Sequence, residues 1–94
     1  ALYAMNPNFT PVLNMMGYAY MEKGDLDNAG KKFQEQVRRA SGSANPYDSM
    51  GDYYLAMDNN ADALKYFEQS AKMGLKASVA KADSLRNELN KEDN

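Results

Sequence analysis

The sequence predicts an all-α fold, a solenoid of stacked helix–turn–helix units with five helices, and three observations carry that expectation. The first is an internal repeat. Laying Thr10–Ser43 over Ala44–Ala77 without a gap pairs six identical residues at a spacing of 34: Met16/Met50, Gly17/Gly51, Tyr20/Tyr54, Ala29/Ala63, Lys31/Lys65 and Phe33/Phe67. Their kinds matter more than their number. Five of the six are apolar, aromatic or small, the residues that pack one helix on another, and Lys31/Lys65 is the one surface match. A fixed period of this size marks supersecondary units that stack on their neighbours. The second observation is the helical spacing of apolar residues within each copy. The third is punctuation by Gly, Asn, Asp and Ser between those periodic segments.

The elements follow in order. Thr10 is placed to cap a first helix, with Pro11 in the first turn, where its missing N–H costs nothing, and the helix runs to about Lys23. Gly24 ends it in the left-handed conformation. Asp25 or Asp27 caps a second helix to about Arg39, with Ala29, Phe33, Gln36 and Val37 on one face. Ser41–Asn45 is a linker, and Asn45-Pro46 restarts a helix to about Met57. Asn59 or Asn60 caps the fourth helix, whose stripe is Ala63, Leu64, Phe67 and Ala71 and whose stop is Gly74. Beyond Gly74 the repeat signature is lost, but Val79, Ala82, Leu85 and Leu89 still recur at helical spacing. They predict a fifth helix with one apolar and one charged face. Gly17 and Gly51 lie in mid-helix, where Gly costs about 1 kcal/mol relative to Ala, so close helix–helix approach is the expected reason for them.

The pattern resembles the tetratricopeptide repeat. Leu13-Asn14-Met15-Met16-Gly17-Tyr18-Ala19-Tyr20 is similar to the family's first-helix signature, Gly24-Asp25-Leu26 to its turn, and Ala29 with Phe33 to its second helix. The second copy keeps Met50, Gly51, Tyr54, Ala63 and Phe67 but replaces the turn by Asp58-Asn59-Asn60, where Asn tolerates the left-handed conformation. Gln36 and Ser70 stand where the family usually has a small residue. The resemblance divides the chain into the end of a preceding repeat and its linker (1–9, with Asn6-Pro7-Asn8 as linker), repeats at 10–43 and 44–77, a capping helix at 78–90 and a frayed tail at 91–94. On this division the chain is a piece of a longer protein. Its compartment is cytoplasmic by default, with periplasm and exterior left open by a leader upstream.

Composition narrows the function classes. A net charge of −2 argues against generic phosphate-backbone binding, and no apolar run is long enough to span a bilayer, so neither nucleic acid nor membrane is an expected partner. The absence of His and Cys removes the commonest general base, metal ligand and thiol nucleophile. An enzyme is not expected, and no cofactor. Asp25-Leu26-Asp27 and Asp58-Asn59-Asn60 begin like calcium loops, but Ala29 stands at the third ligand place of the first, and Gln36 and Gln69 stand where each loop needs a closing Glu. These acids and amides are read as helix caps.

The resemblance implies a protein-interaction module in which the first helix of each repeat lines a concave groove. Carried over by register, the peptide-binding set is Asn14, Tyr18, Glu22, Asp48, Ser49 and Asp52, with Asp83 from the fifth helix. Such a groove is mildly acidic and favours a neutral or basic peptide or partner helix. Some members clamp a carboxylate with Lys, Asn, Asn, Lys and Arg; the corresponding places here are Asn14, Tyr18, Ser49, Val79 and Asp83, and none matches. The alternative is a structural or oligomerisation segment with no free groove in use. An uncovered first helix would also favour a homodimer.

Overall fold

The computed structural model describes residues 10–92, and the expectations placed on residues 1–9, Asp93 and Asn94 lie outside them. Five helices run in succession: α1 (Thr10–Glu22), α2 (Leu26–Arg39), α3 (Ala44–Ala56), α4 (Asn60–Lys72) and α5 (Lys76–Glu92). Each packs on the next, α1 also touches α3, and the stack measures 51 × 29 × 18 Å. No strand occurs among the described residues.

The turns explain the helix ends. After α1, Gly24 takes φ +82°; its N–H donates to the Met21 carbonyl, while the Asp25 N–H reaches back to that of Tyr20. This pair of bonds satisfies carbonyls that a helix end leaves open. The same pair recurs after α3, from Asp58 to Leu55 and from Asn59 to Tyr54, and after α4, from Gly74 to Ala71 and from Leu75 to Ser70. In the second turn the left-handed residue is Asp58, at φ 58°, and not an Asn. Asn59 is free to cap α4 by accepting from the Asp62 N–H, as Asp25 caps α2 by accepting from Asn28. The two donors on Asn28, side chain first and then backbone, hold the Asp25 carboxyl below its ordinary pKa.

Several boundaries differ from expectation. Thr10 is already helical, and α3 begins at Ala44, so the linker is shorter by two residues and Pro46 falls within the first turn. There its missing N–H is one that a helix leaves unpaired in any case. The largest difference is in α5. It starts at Lys76, two residues before the expected position, because only Met73, Gly74 and Leu75 separate it from α4. It also continues through Lys91 to Glu92. The extrapolated apolar stripe is thereby corrected: Ala82 and Leu85 are buried, but Val79 is 46% exposed and Ser78 is fully buried in its place.

Two apolar clusters form the core. Ala29, Phe33 and Met50 join α2 to α3, with Tyr18, Tyr20 and Tyr53 packed against them. Ala63, Phe67, Ala82 and Leu85 join α4 to α5. Phe33 lies over Gly17 and Phe67 over Gly51, and a Cβ on either glycine would come within 2.8 Å of the ring carbon Cζ. The helix–helix approach expected of both glycines is therefore present. Gly30 makes a third such approach that the repeat did not reveal, since a Cβ there would meet the Tyr53 hydroxyl at 2.6 Å.

Candidate functional site

One face of the stack gathers polar side chains from α1, α3 and α5. Asn14 and Tyr18 are one turn apart on α1, and Asp48 and Asp52 are one turn apart on α3, so each pair projects from a single helix face. The half-buried Tyr18 is fixed at both ends. Its ring meets Phe33 edge-on, with centroids 5.0 Å apart, and its hydroxyl donates to Asp52 Oδ2 at 2.6 Å. Burial, followed by that bond to a carboxylate, raises the Tyr18 pKa well above the ordinary phenol value. Ser49, buried on α3, donates to Asn14 Oδ1 at 2.6 Å.

The acidic pair has a cation of its own. Lys81 Nζ lies 3.0 Å from Asp48 Oδ2 and 3.3 Å from Asp52 Oδ1. Burial works against the ammonium, but the bond to Asp48 and the field of both carboxylates outweigh it, and the Lys81 pKa is raised. The ammonium also stands 5.3 Å from the centroid of the Phe67 ring. On the other side of Asp48, the Ser78 hydroxyl is 2.7 Å from Oδ1 and 2.7 Å from Ser70 Oγ. A hydroxyl has one proton, and the charged acceptor takes it. Ser70 then has the Ala44 carbonyl at 2.9 Å for its own proton. A polar network thus runs from α1 through α3 to α5, and Ser70 of α4 is tied to the first residue of α3.

Five of the seven residues expected at the site, Asn14, Tyr18, Asp48, Ser49 and Asp52, belong to this network. The other two do not join it. Glu22 is exposed at the end of α1 and takes part in none of these bonds. Asp83 is exposed between α4 and α5, where it pairs with Arg86, which also reaches Glu68. The early start of α5 turns Asp83 away and brings Lys81 in. Lys81, which the register did not place on this face, sets a cation against its acids.

Four of the network's residues, Asn14, Tyr18, Asp48 and Ser49, also line a polar cavity of about 380 Å³ at the junction of α1, α2 and α3. Thr10, Gln36, Ser43 and Asn45 complete its polar lining. A larger cavity, of about 610 Å³, opens between α4 and α5 with Val79 at its wall and the Arg86 ion pairs on its rim. Sequence reasoning missed Lys81, Ser78 and Gln36 as site residues. Gln36 alone left a signal, as a long amide within an apolar stripe.

Residues 10–41, the α1–α2 pair, match the family model for the tetratricopeptide repeat. With five helices in succession, that match supports a repeat protein of the tetratricopeptide type. Comparison with curated proteins returns no match. Tetratricopeptide repeats generally mediate protein–protein interaction, with proteins or peptides as their usual partners, and the family is typically non-enzymatic. The second copy carries the same Gly-on-Phe contact, the same turn hydrogen bonds and the same cap as the matched one. Among the described residues no helix is long and apolar enough to cross a membrane.

Proposed function

We propose that this chain is a non-catalytic interaction module that takes a segment of a partner protein into the cavity between α1, α2 and α3. The observation that supports this reading is the cavity itself, about 380 Å³ in volume and lined by Asn14, Tyr18, Asp48 and Ser49. Pockets that hold a side chain or small ligand fall in the range of about 300–1,000 Å³ and carry a few fixed polar groups. Here the network holds those groups in place before binding, which lowers the ordering cost of association. Asp48 lines the cavity with both oxygens already bonded, and Lys81 offsets its charge. A neutral segment fits best and a basic one next, while an acidic one meets carboxylates without a free cation.

A peptide array probed with the wild type and with Asn45→Arg tests this. Asn45 is exposed at the cavity and outside the network, so an Arg there obstructs the mouth without disturbing the fold. Capture by the wild type and loss in the variant are the expected results. An array that binds neither, or both alike, would overturn the reading.

A structural role is the second reading, and a different observation favours it. Asp48, Asp52 and Lys81 satisfy one another, which leaves no free charge there to steer a ligand. The exposed Val79 and the cavity between α4 and α5 then mark a face for a further helix or a second copy.

A further inference from the structure

We infer that the cavity between α1, α2 and α3 is a carboxamide pocket, in which Gln36 accepts a hydrogen bond from the side-chain amide of an Asn or Gln on the bound segment. The inference rests on the interaction reading above and names the chemical group that reading leaves open.

Gln36 is 4% exposed and lines the cavity, and among the described residues its Oε1 has no hydrogen-bond partner. A buried acceptor without a donor is unfavourable, and native proteins retain very few of them. The second repeat shows the alternative. At the position 34 residues on, Ser70 is fully buried and its hydroxyl is bonded to the Ala44 carbonyl. The first repeat keeps a longer side chain at the wall of a cavity, its oxygen buried and without a partner among the described residues.

The neighbouring groups select the donor. Asn14 uses its Oδ1 to accept from Ser49, so its remaining polar group is the NH₂ donor. Gln36 Oε1 and Asn14 Nδ2 thus offer one acceptor and one donor, the complement of a carboxamide. A carboxylate would bring oxygen where Gln36 needs a donor, and it would face Asp48. An ammonium would lose its water to a neutral oxygen, because the Asp48 carboxylate is already held by Lys81 and Ser78. A neutral amide avoids both penalties.

The experiment uses pools of short peptides with randomised flanks and a central Gln, Asn, Glu, Met or Lys, measured on the full chain and on Gln36→Met. Met has nearly the shape of Gln and no polar amide, and removing an unpartnered buried oxygen leaves the fold intact, which circular dichroism checks. The wild type should bind the Gln or Asn pool about tenfold or more above the Met and Glu pools, the scale of one buried hydrogen bond. Gln36→Met should erase the preference over Met. If the wild type binds peptides without preferring an amide, or the variant keeps the preference, the carboxamide assignment is overturned while the interaction module stands. If the wild type binds no pool, the module reading falls and takes this assignment with it.

Discussion

The ring of Phe67 occupies the space that a side chain on Gly51 would need, so the two residues function as one packing unit. A Cβ on Gly51 would lie 2.8 Å from Phe67 Cζ, and Gly17 repeats the relationship with Phe33. Both rings are fully buried. The shared 34-residue spacing of glycine and aromatic is therefore a single contact made twice, and it sets how closely the two helices of each repeat approach.

Phe67→Ala should cost about 3–5 kcal/mol in a denaturant melt, as a buried aromatic does. Gly51→Ala gains helix propensity of about 1 kcal/mol but forces the ring aside, an overpacking cost of about 1–3 kcal/mol. A net loss is expected. Combining Gly51→Ala with Phe67→Leu should cost less than the sum of the two single changes, because the smaller side chain vacates the collision. Strict additivity would contradict the contact.

The turns supply a stabilising change. Asp58 holds φ 58°, a region in which every residue except Gly meets its own Cβ, while Gly24 and Gly74 occupy the equivalent turns at φ +82° and +104°. Asp58→Gly should raise the unfolding free energy by up to about 1 kcal/mol, and Gly24→Ala should lower it by a similar amount. Thermal melts of both variants check the pair. A destabilised Asp58→Gly would show that the Asp58 side chain outweighs its backbone strain.

The repeats were legible because their signal is local and occurs twice. Gly17 with Phe33, Gly24 with Asp25, and their counterparts in the second copy are separated by at most one helix–turn–helix, and each has a physical reason written in its residue type. Asn14, Tyr18, Asp48, Ser49 and Asp52 were placed on one face by the same register. The fifth helix was not legible in that way. Extending the 34-residue step past Gly74 assumes that the second copy ends as the first does, whereas α4 is one residue shorter than α2 and the linker after it has three residues against four. A slip of two residues on a helix rotates its faces by more than half a turn. Asp83 consequently replaced Lys81 at the expected site, while in the core Ser78, four residues before Ala82, holds the place that helical spacing had given to its neighbour Val79. Lys81 reaches its carboxylates across 29 and 33 residues, and nothing in the local sequence marks that pairing.

Alkaline pH should weaken the fold through this face. Tyr18 and Lys81 both have folded-state pKa values above the ordinary ones, Tyr18 through burial and Asp52, and Lys81 through Asp48 and Asp52 against its own burial. A group whose pKa is raised on folding contributes stability that is fully present below its unfolded value. That contribution is lost as pH rises through the folded value. Both unfolded values are about 10, so the denaturation midpoint should hold up to about pH 9 and decline above it. Tyr18→Phe should show a shallower decline than the wild type. An unchanged slope in that variant would remove Tyr18 from the account.

The two roles open to the acidic pair separate in one set of variants. Asp48 and Asp52 have side chains only 14% and 21% exposed, and both face Lys81. Removing both charges with Asp48→Asn and Asp52→Asn leaves the ammonium partly buried without counter-ions. A fully buried pair broken in this way costs about 3–5 kcal/mol and an exposed one under about 1 kcal/mol, so a loss of about 1–2 kcal/mol is expected for Lys81, whose side chain is 37% exposed. Adding Lys81→Met should recover most of that loss, since it removes the uncompensated charge and leaves an apolar chain against Phe67. Asn45→Arg, by contrast, should leave the melt unchanged and alter only peptide capture. Should the triple variant prove no more stable than the double, Lys81 would not be the counter-ion that decides the stability of this face. Asp48 and Asp52 would then be better explained as groups held ready for a ligand.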